Sequence, residues 1–146
     1  MAISLRSEHF NPYQELQRYQ DQTLKLAGKQ GATACFVGTM RDVNEGETVY
    51  EMLLEHYPGM TEKRLEQIIE EARRRWNFID ALVIHRIGEV HPSDPIVLVA
   101  VWSSHRGAAF DACRYIIEEL KSTVPFWKRE SIPGGNRWAE KNTCGY

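Results

Sequence analysis

Residues 108–130, AAFDACRYIIEELKSTVPFWKRE, decide how the chain is to be read. Ala109, Phe110, Cys113, Ile116, Ile117 and Leu120 recur at helical spacing, and a period of 3.6 residues gathers them into one apolar face directed at a core. Lys121 falls on the edge of that stripe, where core gives way to surface, with Arg114 one heptad earlier on the same flank. Arg114 and Glu118 stand four apart and Glu118 and Lys121 three apart, so ion pairs are available along the helix surface. Val124-Pro125 ends the helix, because the residue before a proline is driven out of the α region. Residues 126–130 then continue extended, and strand alternation puts Phe126 and Lys128 on one face and Trp127 on the other. Two lysines on rigid elements therefore flank one tight corner.

Working back from this helix, Ser103-Ser104-His105-Arg106-Gly107 leads into its N-terminus. Free backbone N–H groups and the positive end of the helix dipole make such a place suited to anions, and His105 and Arg106 could complete a phosphate or oxyanion site; Ser103 or Ser104 could equally be a plain N-cap. Before it, residues 81–90 (ALVIHRIGEV) and 96–102 (IVLVAVW) read as two strands of a hairpin around the turn cluster His91-Pro92-Ser93-Asp94-Pro95. His85 and Arg86, adjacent in a strand, suggest one buried and one exposed side chain. Leu65, Ile68, Ile69, Ala72 and Trp76 mark an earlier amphipathic helix that begins after Pro58-Gly59 and ends in the solvated run Arg73-Arg74-Arg75. Residues 32–40 (ATACFVGTM) and 48–57 (TVYEMLLEHY) are strands that the polar loop 42–47 should join as antiparallel neighbours, leaving Arg41 at a strand end. Asn11-Pro12 caps a first helix, with Leu16, Tyr19, Leu24 and Leu26 as its apolar positions. Pro133-Gly134-Gly135 turns the last strand into a short tail, residues 136–146.

The order helix, two strands, helix, two strands, helix, strand predicts an α+β domain with a mainly antiparallel sheet, one domain over residues 1–146. The chain has 146 residues, 42% hydrophobic, with a net charge of -2 and a sequence pI of about 6.2. That balance gives no general attraction to nucleic acid or anionic membranes, so any cationic site must be local. No stretch approaches the ~20 apolar residues of a membrane span, and a soluble cytoplasmic protein is expected. Cys35, Cys113 and Cys144 are odd in number and scattered, which argues against disulfides and zinc. No His/Cys/Asp/Glu grouping has metal-ligand spacing, no phosphate-loop fingerprint is present and no serine sits in a nucleophile elbow, so neither a metal nor a resident cofactor is expected. What remains is a cationic set, Arg41, His105, Arg106, Lys121 and Lys128, with Phe36 and Phe126 as candidates for an apolar wall. A non-catalytic anion- or RNA-binding module using Arg106, Trp127, Lys128 and Arg129 is the competing reading, which the acidic pI disfavours. A scaffold that binds a partner without catalysis is a third.

The blocks FVGTMRD (36–42), LEHYPGM (54–60), IHRIGEV (84–90), SSHRGAAF (103–110) and LKSTVPFWKRE (120–130) resemble the large, catalytic subunit of molybdopterin synthase, in that family's order and over about three quarters of the chain. The resemblance implies an α/β-hammerhead-type fold and a homodimer within a heterotetramer. It also implies a small ubiquitin-like sulfur-carrier subunit whose C-terminal Gly-Gly thiocarboxylate enters the active site. The reaction implied is transfer of two sulfurs onto cyclic pyranopterin monophosphate, forming the molybdopterin dithiolene. Lys121 then matches the helix lysine reached by the carrier tail and Lys128 the second active-site lysine. Arg41 matches the arginine after the first strand, Phe36 the pocket phenylalanine, and His105 with Arg106 the anion-binding pair expected from the neighbouring protomer. Two positions depart: Ile117 stands where many relatives have methionine, and Asn142 where a basic residue is frequent, leaving Lys141 or Arg137 to supply that charge. The apolar strands 81–87 and 96–102 are expected to be exposed enough to serve the dimer contact.

Overall fold

The computed structural model describes residues 1–24 and 28–139. Two four-stranded sheets and three helices make up the described chain, with a small hairpin added. The first sheet has the order β1-β6-β8-β2, formed by β1 (Ala2–Arg6), β6 (Asp80–Arg86), β8 (Pro95–Ser103) and β2 (Ala32–Thr39). Its β6–β8 and β2–β8 ladders are antiparallel and only β1–β6 is parallel. The second sheet, β10-β9-β5-β7, joins β10 (Gly135–Trp138), β9 (Phe126–Ile132), β5 (Glu51–His56) and β7 (Gly88–Val90), antiparallel throughout. The expected α+β class with mainly antiparallel pairing is what the chain forms.

Helix α1 (Pro12–Gln22) starts where Asn11 accepts from the backbone N–H of Tyr13 and Gln14, a side-chain cap that satisfies donors with no intrahelical partner. It ends before Leu24, and Leu26 lies outside the described residues. The helix covers one face of the first sheet, where Phe10, Leu82, Ile84, Leu98, Ala100 and Trp102 form a core. On the opposite face α2 (Met60–Arg75) and α3 (Arg106–Thr123) pack with the alternate strand residues Ala81, Val83, Val97, Val99 and Val101. Leu65, Ile68, Ile69 and Ala72 are buried on α2, and Ala109, Ala112, Cys113, Ile116, Ile117 and Leu120 on α3, as their spacing requires. Phe110 does not join them: it is 66% exposed, while Ala112 takes an inward position.

Three further expectations are corrected. First, β2 and the strand after it do not pair. The loop between them closes on itself as a hairpin of β3 (Val43–Asn44) and β4 (Glu47–Thr48), whose turn residues Glu45 and Gly46 both have positive φ, the geometry that matches strand twist in two-residue hairpins. Strand β5 thus leaves for the second sheet. Second, the stretch 81–90 is two strands rather than one: β6 ends at Arg86, and β7 pairs with β5. Third, strands 81–87 and 96–102 are sandwiched between helices and are buried apart from half-buried Ile87, so they offer no dimer surface. Strands β1 and β2 are the edges of the first sheet, and on β2 Phe36 is 39% exposed beside α3. The stretch expected as a tail supplies β10, and the N-terminal residues supply β1.

Candidate active site

The corner between α3 and β9 is built as the local pattern dictates. Val124 caps α3 in extended conformation, and β9 alternates from Phe126 so that Phe126, Lys128 and Glu130 point one way while Trp127 and Arg129 are exposed. Helix and strand thereby direct Lys121 and Lys128 into the same space. A cavity of about 100 Å³ is lined by both lysines together with Arg41, Asn44, Met52 and Glu130, among others. A second cavity, about 20 Å³, shares the two lysines and is bounded by His85, Leu120, Val124 and Phe126.

Placing two amines so close, away from water, weakens their hold on protons. Burial, and then the charge of Lys128, bring the Lys121 amine from 10.5 down to about 8. Burial also lowers Lys128, but the charge of Glu130 opposes the fall. The two lysines thus differ in surroundings: the charge of Lys128 adds to burial at Lys121, whereas the charge of Glu130 offsets burial at Lys128. Glu130 is 4% exposed, and it accepts from Asn44 Nδ2 at 2.9 and 3.1 Å and from Arg137 Nε at 3.1 Å. Arg137 also donates to the Asn44 carbonyl at 2.8 Å. Of the two candidates for the missing tail cation, Arg137 is therefore committed to a buried carboxylate, and Lys141 lies with Asn142 and Cys144 outside the described residues.

Glu130 and Asn44 were not among the candidates from sequence. Alternation from Phe126 and Lys128 to Glu130 is the signal that could have found the carboxylate. His85 is the other addition. It and Arg86 are both buried, at 2% and 4% exposure, rather than one in and one out, because this sheet is covered on both faces.

Of the expected site residues, Lys121, Lys128 and Arg41 meet at the larger cavity. Phe36 lies on the β2 edge and lines neither cavity. His105 and Arg106 are exposed at the other end of α3, about 22 Å from Lys121 by the helical rise of fifteen residues. His105, not a serine, is the N-cap residue, and it makes no capping bond through its side chain. Ser103 accepts from the His105 N–H and donates to the Asn77 carbonyl. One group of possible metal ligands that linear spacing does not show, Glu51, Glu89 and His91, comes together across β5 and β7 at the surface. His91 Nε2 sits 3.2 Å from Glu89 Oε1.

The fold and these cavities define an α+β protein with a cationic cavity built around paired lysines. The chain belongs to the MoaE protein family, whose model matches residues 7–123. The molybdopterin synthase catalytic subunit of Pseudomonas aeruginosa is 46% identical over 140 residues, 96% of this chain and 91% of that protein. The protein of the same name from Ralstonia nicotianae is 59% identical over 110 residues, 75% of this chain but 62% of the relative's length. Among solved structures, the molybdopterin biosynthesis MoaE protein from Burkholderia ambifaria superposes with a TM-score of 0.80 at 45% identity, over 99% of this chain and 94% of that one.

Proposed function

We propose that this chain is the catalytic subunit of a molybdopterin synthase, transferring two sulfurs from the C-terminal thiocarboxylate of a small ubiquitin-like carrier to cyclic pyranopterin monophosphate. The observation that carries the reading is the pair Lys121 and Lys128 sharing a cavity with Arg41. A cyclic phosphate and a thiocarboxylate are both anions, so bringing them together needs a cationic pocket that cancels their repulsion. In a chain of net charge -2 that field has to be local.

Lys121, with its amine at about 8, is neutral in about one molecule in ten at pH 7. It is the group that gives and takes a proton at the carrier tail. Lys128, supported by Glu130, is the fixed ammonium that holds charge as it develops. The sulfur nucleophile arrives with the carrier, so no reactive cysteine is required of the chain: burial pushes the Cys113 thiol up to about 12, where it is inert. Arg41 and Arg106 hold the substrate phosphate, and Phe36 forms an apolar wall.

In this reading His105 and Arg106, a helix length from Lys121 of their own chain, serve a second copy's cavity, and the working unit is a homodimer flanked by two carriers. The exposed Phe36 and Phe110 beside the β2 edge are the surface that suits such a contact. Among the described residues no helix is long and apolar enough to cross a membrane, and the reading puts the protein in the cytoplasm. The test is direct: the protein, a thiocarboxylated carrier and cyclic pyranopterin monophosphate are incubated together and dithiolene product is measured. Product formation supports the reading; carrier binding without product identifies a scaffold; salt-sensitive RNA binding without product identifies the binding module.

A further inference from the structure

Besides the lysines, His85 is the one described residue with a polar side chain lining the smaller cavity. It sits on β6 after Ala81 and Val83, facing α3, and its ring stacks on Phe126 with centroids 3.9 Å apart and planes 13° from parallel. Nδ1 lies 2.6 Å from the Arg86 carbonyl oxygen. A carbonyl can only accept, so Nδ1 carries the ring proton. The charged groups that face the imidazole are Lys121 from α3 and Lys128 from β9. Its register neighbours Leu5 on β1 and Val97 on β8 carry no charge. Burial and these two cations hold the ring neutral, with its pKa lowered to about 3. Nε2 is thus left with a bare lone pair, and the side-chain donors on the cavity it shares are ammonium groups. At about 20 Å³ the cavity has room for one water to bridge Nε2 and an ammonium.

We propose that His85 is a positioning residue for sulfur transfer: its Nε2 accepts from the lysine ammonium across the smaller cavity and fixes the Lys121 amine toward the larger one. The inference rests on the function proposed above, but its first test needs no catalysis. Two substitutions separate acceptor from filler. His85→Gln keeps an acceptor near the Nε2 position and loses the aromatic stack; His85→Phe keeps the stack and loses the acceptor. Lysine 13Cε resonances in the full-length protein, assigned with Lys121→Arg, report the Lys121 midpoint. An acceptor stabilises the ammonium, so its loss lowers the midpoint: by about one unit in His85→Phe, with little change in His85→Gln.

In the dithiolene assay His85→Phe slows kcat at least about tenfold, with KM for the pterin within about twofold, and His85→Gln recovers most of the rate. A midpoint unmoved in His85→Phe, a shift as large in His85→Gln, or a His85→Phe rate equal to the parent's overturns the proposal. Should His85→Phe not fold, imidazole 15N spectra of the parent decide, since a protonated Nε2 excludes the acceptor role. If the midpoints move as stated while the parent itself makes no dithiolene, the functional reading fails and the role of His85 in setting the amine stands.

Discussion

Replacing Lys121 with methionine should make the protein more stable while removing its proposed activity. The amine titrates at about 8 in the fold against 10.5 ordinarily, so the folded state disfavours the charged form. Between those two values the unfolded chain binds more protons than the folded one, and stability of the parent rises with pH. Below about pH 8 both states are protonated and the whole penalty applies. The shift corresponds to about 3 kcal/mol at pH 7, falling to about 2 kcal/mol at pH 9 and vanishing above the unfolded value. Methionine has similar length, fills the same cavity wall and carries no charge, so Lys121→Met should gain up to about that amount at pH 7. Urea denaturation of parent and variant at pH 7 and pH 9 measures it, because titrating groups away from the lysine pair cancel in the difference. A variant less stable than the parent at pH 7, or a gap that does not narrow toward pH 9, refutes the reasoning that Lys121 is held desolvated beside Lys128.

Arg41→Ala should weaken pterin binding by about 10–150-fold, the equivalent of one charge-assisted contact of about 1.5–3 kcal/mol, with an unchanged melting temperature; calorimetric titration checks the first and a thermal scan the second. Chains carrying Arg106→Ala and chains carrying Lys121→Ala, each inactive alone, should recover part of the activity when mixed, because one of the two sites in a heterodimer is then complete; no recovery after proven subunit exchange rules out a shared site.

The parts of this molecule that were legible in the sequence are those set by local periodicity. Lys121 on the flank of α3 and the shared face of Phe126 and Lys128 follow from 3.6- and 2-residue repeats, and they carry the site. Pairing between distant segments is not encoded that way. The loop after Arg41 looked like a connection between neighbours, yet its Glu45-Gly46 turn spends it on a hairpin of its own, and β5 finds β9 some 75 residues later, as in Met52 opposite Glu130. AISLR gives too short and mixed a pattern to declare a strand, and becomes one only because β6 offers it an edge. His85 and Arg86 were misjudged for a related reason: alternation says that neighbours face opposite ways, but not that helices close both faces of the sheet. Phe110 errs the other way, apolar and in phase with the stripe but left outside the core. His105 and Arg106 were recognisable as exposed cations at a helix start, but only the length of α3 shows that they stand far from Lys121 within one chain.

If Lys121 acts through a proton it can release, Lys121→Arg should remove the activity while keeping the charge. Arginine keeps the positive charge but does not deprotonate at working pH. With thiocarboxylated carrier and cyclic pyranopterin monophosphate at saturation, the account predicts that the variant binds the carrier as the parent does and forms almost no dithiolene. Turnover close to the parent rate would contradict it and reduce Lys121 to an electrostatic anchor.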